Sequence, residues 1–374
     1  MCAPRSTRDI CLYATTNTPC TRWSEPSAAP GAYRFASGTP IHDLIAHVWS
    51  SLLPLPGKEA TRASICHRAA RGHRCGRHAR GGPPPPRQEA VMKIGCFALI
   101  DPFSLLEHQL GRIAGLGFAF ADVTDNSDGA CLGTEFGFTA LASLDANPFD
   151  LKRQFERHGL TITSYCAHAN LLDASAPWRY GTAQVIKAVR AAAAIGVQHV
   201  ITTEGDPKTD FGHGLSEREA LFTIREKLHE PLRVAADHGV QILLEPHGRY
   251  TDSVDHMEHL LELCNSPALG INLDTGNLWL GGGDPVEMVR RLGPQIKHVH
   301  WKDMPADLEA KRGSVYGTGM AVIALGQGVV DIEGTFRALQ AAGFDGYTTL
   351  EIAGDEAVLA SRDYLEALAG GAAG

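Results

Sequence analysis

The chain has no apolar run near the ~20 residues needed to cross a bilayer as a helix, so nothing in it reads as a membrane span. It has nine cysteines but no Cys-x-x-Cys pair. That leaves out zinc-ribbon and thioredoxin-like motifs, and the spacing is not that of a small disulfide-stapled domain. Residues 1–40 lack the continuous apolar core of a secretory signal. Reduced thiols and a cytoplasmic location are the expectation. A glycine-rich phosphate loop is also missing. Where one would follow the first strand, the chain reads Ile100-Asp101-Pro102-Phe103, so there is no dinucleotide fingerprint. Neither a P-loop nor an Arg/Lys clamp stands near the later strand ends. Nothing therefore demands a phosphate-bearing ligand.

Charge is spread unevenly. Of 34 Lys+Arg and 42 Asp+Glu, residues 1–91 hold 12 and 5, which leaves 22 and 37 for the remainder. A body this acidic is a poor match for nucleic acid, whose binding depends on phosphate neutralisation. Residues 1–91 show little periodicity and end in RGHRCGRHARGGPPPP. The four prolines allow only a polyproline-like or irregular spacer. This stretch is expected to be a disordered extension, or sequence upstream of a true start at Met92. Cys66, His67, His73 and Cys75 match no common structural zinc spacing. The basic run at 71–80 could serve as an address or a nucleic-acid contact, but a solvated tail is the favoured reading. A short helix is expected at 42–55.

From Met92 the pattern becomes regular. Strands are predicted at 93–99, 118–123, 161–167, 198–203, 240–245, 268–274, 296–302 and 346–352. Helices are predicted between them at 105–116, 148–158, 180–195, 216–238, 254–263, 285–292 and 332–342, with a last one at 356–368. Ser216 followed by Glu219 forms a capping box, and Pro231 should bend or split its helix. The loop at 125–138 is rich in Asp, Asn and Gly, and 369–374 should be a loose tail. Eight alternations over this length predict one α/β domain at 92–368, a (β/α)8 TIM barrel.

Catalytic groups of such barrels sit at the C-terminal ends of the strands. The fifth predicted strand ends LLEPHG, with Glu245 and His247. The sixth ends INLDTGN, with Asp274 and then Asn277. The seventh ends HVHWKD, with His298, His300 and Lys302 on one face, and the eighth ends in Glu351. Three crowded carboxylates cannot all stay ionised without compensation. A divalent cation is the natural partner. Oxygen-rich ligation with one imidazole suits Mn2+ first, with Mg2+, Co2+ or Fe2+ as alternatives. Such an ion can polarise a carbonyl and stabilise an enediolate. His168 and Glu204 end the third and fourth strands as candidate substrate contacts. His298 is expected to support the ion from a deeper layer, Trp301 to face the core, and Asp303 to orient Lys302 or cap a loop. The segment 312–328 is a candidate lid.

These motifs, LLEPHG, NLDTGN, HVHWKD, GQGVVD and TLEI, resemble the xylose isomerase-like barrel superfamily of sugar phosphate isomerases and epimerases. The resemblance runs from Met92 to about Leu368. It implies Glu245, Asp274, His300 and Glu351 as metal ligands, with Glu245 and Glu351 as the proton-transfer pair. Asn277 stands where related enzymes commonly carry a substrate-contacting histidine. Lys302 is closer to the inosose dehydratase-like branch, where a lysine can act as acid or base. The expected function is therefore a metal-dependent isomerase or epimerase acting on a keto-sugar or related polyhydroxylated carbonyl compound through an enediolate. Glu245, Glu351, Lys302 and His247 are its catalytic candidates; His168, Glu204 and Asn277 are its substrate contacts. The alternative is a lyase of the same fold, inosose dehydratase-like or eliminating a β-substituent from a 3-keto sugar. An endonuclease IV-like repair enzyme is a remote third. The expected partners are a small sugar or cyclitol and a second copy or companion subunit, with neither nucleic acid nor membrane.

Overall fold

Eight short runs of aliphatic and β-branched residues become strands: β1 (Lys93–Phe97), β2 (Phe120–Thr124), β3 (Thr161–Cys166), β4 (His199–Thr202), β5 (Gln241–Leu244), β6 (Leu269–Asp274), β7 (Ile296–Trp301) and β8 (Tyr347–Leu350). Each pairs in parallel with the next, and β8 closes on β1 to make an eight-stranded barrel. The structure is a computed structural model describing residues 92–101, 103–124, 142–172, 180–205, 209–317 and 322–371. The expected N-terminal extension, its Cys/His group, its basic run and the helix at 42–55 lie outside the described residues. So do the loop at 125–138 and the last three residues.

Helices link the strands: α1 (Leu106–Gly115), α2 (Pro148–Arg157), α3 (Tyr180–Ile195), α4 (Asp210–Gly214), α5 (Glu217–His238), α6 (Val254–Cys264), α7 (Thr275–Leu280), α8 (Pro285–Leu292), α9 (Ile332–Ala341) and α10 (Asp355–Gly370). Local chemistry sets their ends. Ser216 and Glu219 close a reciprocal capping box at the start of α5, and Gly239 stops it in the left-handed conformation at φ 66°. Pro231 does not split α5, which runs for 22 residues. A proline strips its i−4 carbonyl of a donor. Here that carbonyl belongs to Lys227, and the Thr182 hydroxyl donates to it at 2.9 Å. The helix α10 continues to Gly370, past the position where a tail was expected to start. Arg337 donates to the Leu368 carbonyl at 2.8 Å and supports that last turn.

Two apolar layers result. The larger lies between helices and strands and includes Leu110, Val185, Ile224, Leu228, Met257 and Leu339, all fully buried. Each such side chain contributes about 1.5–3 kcal/mol of transfer free energy before entropy is counted. The smaller cluster is Phe97, Leu99, Cys166, Ile201 and Leu243. Buried polar groups occupy β2, β6, β7 and β8, with Asp122, Asn272, Asp274, His298, His300 and Thr349 almost wholly excluded from water. No helix among the described residues is long and apolar enough to cross a membrane.

Candidate active site

The strands stop slightly earlier than predicted, and this shapes the site. Glu245, Lys302 and Glu351 each fall one residue beyond a strand, after Leu244, Trp301 and Leu350. Asp274 is both the last residue of β6 and the N-cap of α7, where Oδ1 accepts from the Asn277 amide at 2.8 Å. His300 stays within β7 and pairs in register with Asp274 on one side and Thr349 on the other.

One ligand atom each from Glu245, Asp274, His300 and Glu351 lies within 4.8 Å of all the others. His300 Nδ1 is 3.1 Å from Glu351 Oε2 and 3.6 Å from Glu245 Oε2. Yet neither Nδ1 nor Glu351 Oε2 has a hydrogen-bond partner, although both are buried. Unpaired buried polar atoms are expensive. Two lone-pair atoms converging without a hydrogen bond are suited to share a cation. The residues present therefore fit a divalent ion held by three carboxylates and one imidazole.

Lys302 supplies a fixed cation beside this set. Its ammonium is 2.8 Å from Glu351 Oε1 and 3.0 Å from Asp274 Oδ2, and Asn277 Oδ1 lies at 3.4 Å. Gly276 makes room, since a Cβ there would strike the Lys302 side chain and Met304. Burial works against the Lys302 charge, but Asp274, Glu351 and Glu245 outweigh it and hold the ammonium protonated. Burial also pushes Asp274 up to about 7, with Lys302 opposing it and Glu351 and Glu245 adding to it. Burial opposes ionisation of Glu351 too, and Lys302 and His300 overcome it, so its pKa is lowered. The three carboxylates are thus not equivalent.

The remaining predicted residues divide. His168 reaches Glu245 Oε2 with Nε2 at 3.4 Å, and its ring lies 5.9 Å from that of His247. His247 is partly buried, and burial lowers its pKa. Gly317, in the left-handed conformation at φ 69°, packs against the His247 ring where no Cβ would fit. Asn277 is fully buried and donates Nδ2 to Asp274 Oδ2 at 2.8 Å and Glu245 Oε1 at 3.4 Å. It ties two of the clustered carboxylates together. Glu204, the other candidate substrate contact, is held by the backbone after β5. It is 1% exposed and accepts from the Tyr250 and Thr251 amides at 3.0 and 2.6 Å. It positions the loop after β5.

Around this set, Trp301 is buried against Phe336. Asp303 caps the loop: its carboxylate accepts from the amides of Met304, Gly326 and Gly328 at 2.9 Å and of Val330 at 3.1 Å. Part of the candidate lid is pinned by Arg312, which donates to the carbonyls of Trp279 and Gly283 at 3.0 Å. Residues 318–321 of that segment lie outside the described residues. Sequence reasoning missed Asp122. It lies in β2 and meets His300 Nε2 at 3.0 Å. The only signal for it was an acidic residue within an otherwise apolar alternation.

A family model described as a xylose isomerase-like TIM barrel matches residues 111–369. An inosose dehydratase from Lacticaseibacillus casei is 29% identical over 165 residues, covering 40% of this chain and 54% of that relative. The match thus spans about half the relative's length. Among solved structures, 3-keto-D-glucoside 4-epimerase YcjR from E. coli superposes with a TM-score of 0.56 at 16% identity, covering 74% of this chain and 99% of that one. The IolI protein with a bound zinc atom gives 0.57 at 17% identity, covering 74% and 98%. At these identities the structural likeness concerns the fold.

Proposed function

Because the chain belongs to the xylose isomerase-like TIM barrel family, we propose that it is a divalent-metal-dependent enzyme that removes a proton next to the carbonyl of a polyhydroxylated ketone, with loss of water as the outcome. The observation that carries this reading is the Lys302 ammonium, buried and held between Glu351 and Asp274. A proton donor fixed among the ligands suits departure of a hydroxyl better than return of a proton to carbon. The inosose dehydratase relative, named for loss of water from an inosose, supports the same choice.

Glu245, Asp274, His300 and Glu351 would hold the ion. When bound, it polarises the carbonyl and stabilises negative charge developing on its oxygen. His247 takes the proton from the carbon next to the carbonyl. Lys302 donates a proton to the hydroxyl on the following carbon, so the C–O bond breaks and water leaves. Asn277 fixes Glu245 and Asp274, and His168 holds Glu245 through Oε2. Lys302 regains its proton from solvent, and His247 releases the one it took to solvent, which resets both side chains. Glu351 is the most open of the four ligands at 7% exposure, so substrate approaches from its side. The oxygen-rich set favours Mn2+.

A second reading is epimerisation, with Glu245 and Glu351 passing a proton between faces. The pairing of two glutamates at the ends of β5 and β8 favours it. A panel of keto-sugars and inososes with Mn2+, Mg2+, Co2+, Fe2+ or Zn2+ separates the two when scored by mass in deuterated water. A product lighter by one water supports the lyase. A product heavier by one mass unit, from a single deuterium at carbon and with no loss of water, supports the epimerase. Neither loss of water nor deuterium uptake with any substrate and ion overturns both.

A further inference from the structure

Behind the four ligands lies a set of groups that the proposed chemistry does not use. Asp122 on β2 accepts through Oδ2 from two donors, His300 Nε2 at 3.0 Å and the Thr349 hydroxyl at 2.7 Å. Its other oxygen, Oδ1, has no partner, so its polar contacts concentrate on one atom. Asp122, His300 and Thr349 are all fully buried. Water therefore does not compete for the bond.

We propose that Asp122 is a positioning residue that holds the His300 ring so that Nε2 carries the hydrogen and Nδ1 faces the carboxylates. This rests on the metal reading above. An imidazole that donates from one nitrogen keeps its lone pair on the other. Since Oδ2 can only accept, Nε2 donates and Nδ1 is left to ligate. Phe97 and His298 wedge the ring edge-on, both with centroids at 5.2 Å, which resists rotation out of that orientation. A parallel chain serves Glu245. His298 meets Asn272 Oδ1 at 2.9 Å and Thr163 Oγ1 at 3.3 Å, and Asn272 donates Nδ2 to Glu245 Oε2 at 3.3 Å.

A competing assignment is a second metal centre. Donor atoms of Asp122, His298 and His300 also lie within 4.8 Å of one another. Both His298 nitrogens and His300 Nε2 are already hydrogen-bonded within the protein, however. Ligation there would break the His300–Asp122 bond and one of the two His298 bonds, leaving either Thr163 or Asn272 without its histidine partner in the interior. One ion per chain is the expected stoichiometry.

The test measures binding of Mn2+ and Co2+ by competition with a fluorescent chelator, using the full chain. Asp122→Ala should bind both ions 10- to 100-fold more weakly, and Asp122→Asn, which retains an acceptor, should recover part of the loss. Thr349→Val should weaken binding by a smaller factor. In the Co2+-loaded protein the exchangeable His300 N–H should give a shifted proton signal that Asp122→Ala abolishes. A purely structural role would leave that signal and the affinity intact. Wild-type binding with both Asp122→Ala and Thr349→Val within twofold of it overturns the assignment of Asp122 alone. If Asp122→Ala does not fold, an unchanged Thr349→Val affinity overturns it. A wild-type chain that binds neither ion overturns the metal reading and this inference together, and two ions per chain support the second centre instead.

Discussion

At the scale of single residues, Lys302 and His199 carry the clearest consequences. Lys302 is not a ligand, so Lys302→Gln should retain divalent-ion affinity while turnover falls about 10²–10⁴-fold, the usual worth of a positioned acid or base. Parallel ion titration and steady-state rates check this; a variant that loses the ion instead would make Lys302 structural. His199 lies at the start of β4, with Nδ1 buried and unpartnered. Burial, helped by the Lys297 charge, lowers its pKa to about 4. The unfolded chain binds that proton near pH 6.5, so stability from the neutral ring is complete above about pH 6.5. It is lost as pH falls toward 4, by about 3 kcal/mol in all. Urea unfolding at pH 7.5 and 5 should show a smaller drop for His199→Gln than for the wild type; an equal drop removes His199 as the cause. The clustering of Glu245, Asp274 and Glu351 was legible because each follows an apolar run at or just past a strand end. Asp122 was not, because it sits inside a strand and its partner His300 is 178 positions away. Only closure of the barrel brings the two together.

At the scale of elements, long periodic segments were readable and short ones were not. The capping box at Ser216 and the glycine stop at Gly239 marked α5 directly. Its continuity past Pro231 was hidden, because the compensating hydroxyl comes from Thr182 in α3. Thr182→Val keeps the shape but leaves the Lys227 carbonyl unpaired, which should cost about 1–2 kcal/mol in urea unfolding. A loss no larger than that of an exposed threonine would mean water replaces the hydroxyl. The six residues of α7 were missed because TGNLWL is too short for a helical period and starts inside a site motif. Of the loop after β7, the segment 312–328 stood out in the sequence, as a candidate lid. Its order depends on Asp303, whose one carboxylate gathers four backbone amides. Asp303→Ala strands those amides and should destabilise the fold by about 3 kcal/mol. It should also raise substrate KM, since the 326–330 segment is no longer held. Unchanged stability would show that the glycines hold the turn unaided.

At the scale of the whole molecule, the fold was legible because eight alternations of strand and helix admit few closed arrangements. Chain closure then gathers residues from β5, β6, β7 and β8 into one set. Assembling three carboxylates in a dry interior opposes folding, and Lys302 and His300 offset only part of that charge. Divalent ion should therefore stabilise the folded chain by mass action, about 2.7 kcal/mol at a hundredfold excess over Kd. The expected result is a higher urea midpoint for chelator-treated protein after Mn2+ is added back, with the m-value unchanged. Asp274→Asn is the discriminating variant. Asparagine still caps a helix, so α7 should keep its N-cap, while the ligand charge disappears. The variant should show a metal-free midpoint near that of the wild type and little or no response to Mn2+. If Mn2+ stabilises Asp274→Asn as strongly as the wild type, the stabilising ion binds elsewhere, and the strand-end carboxylates are not its site.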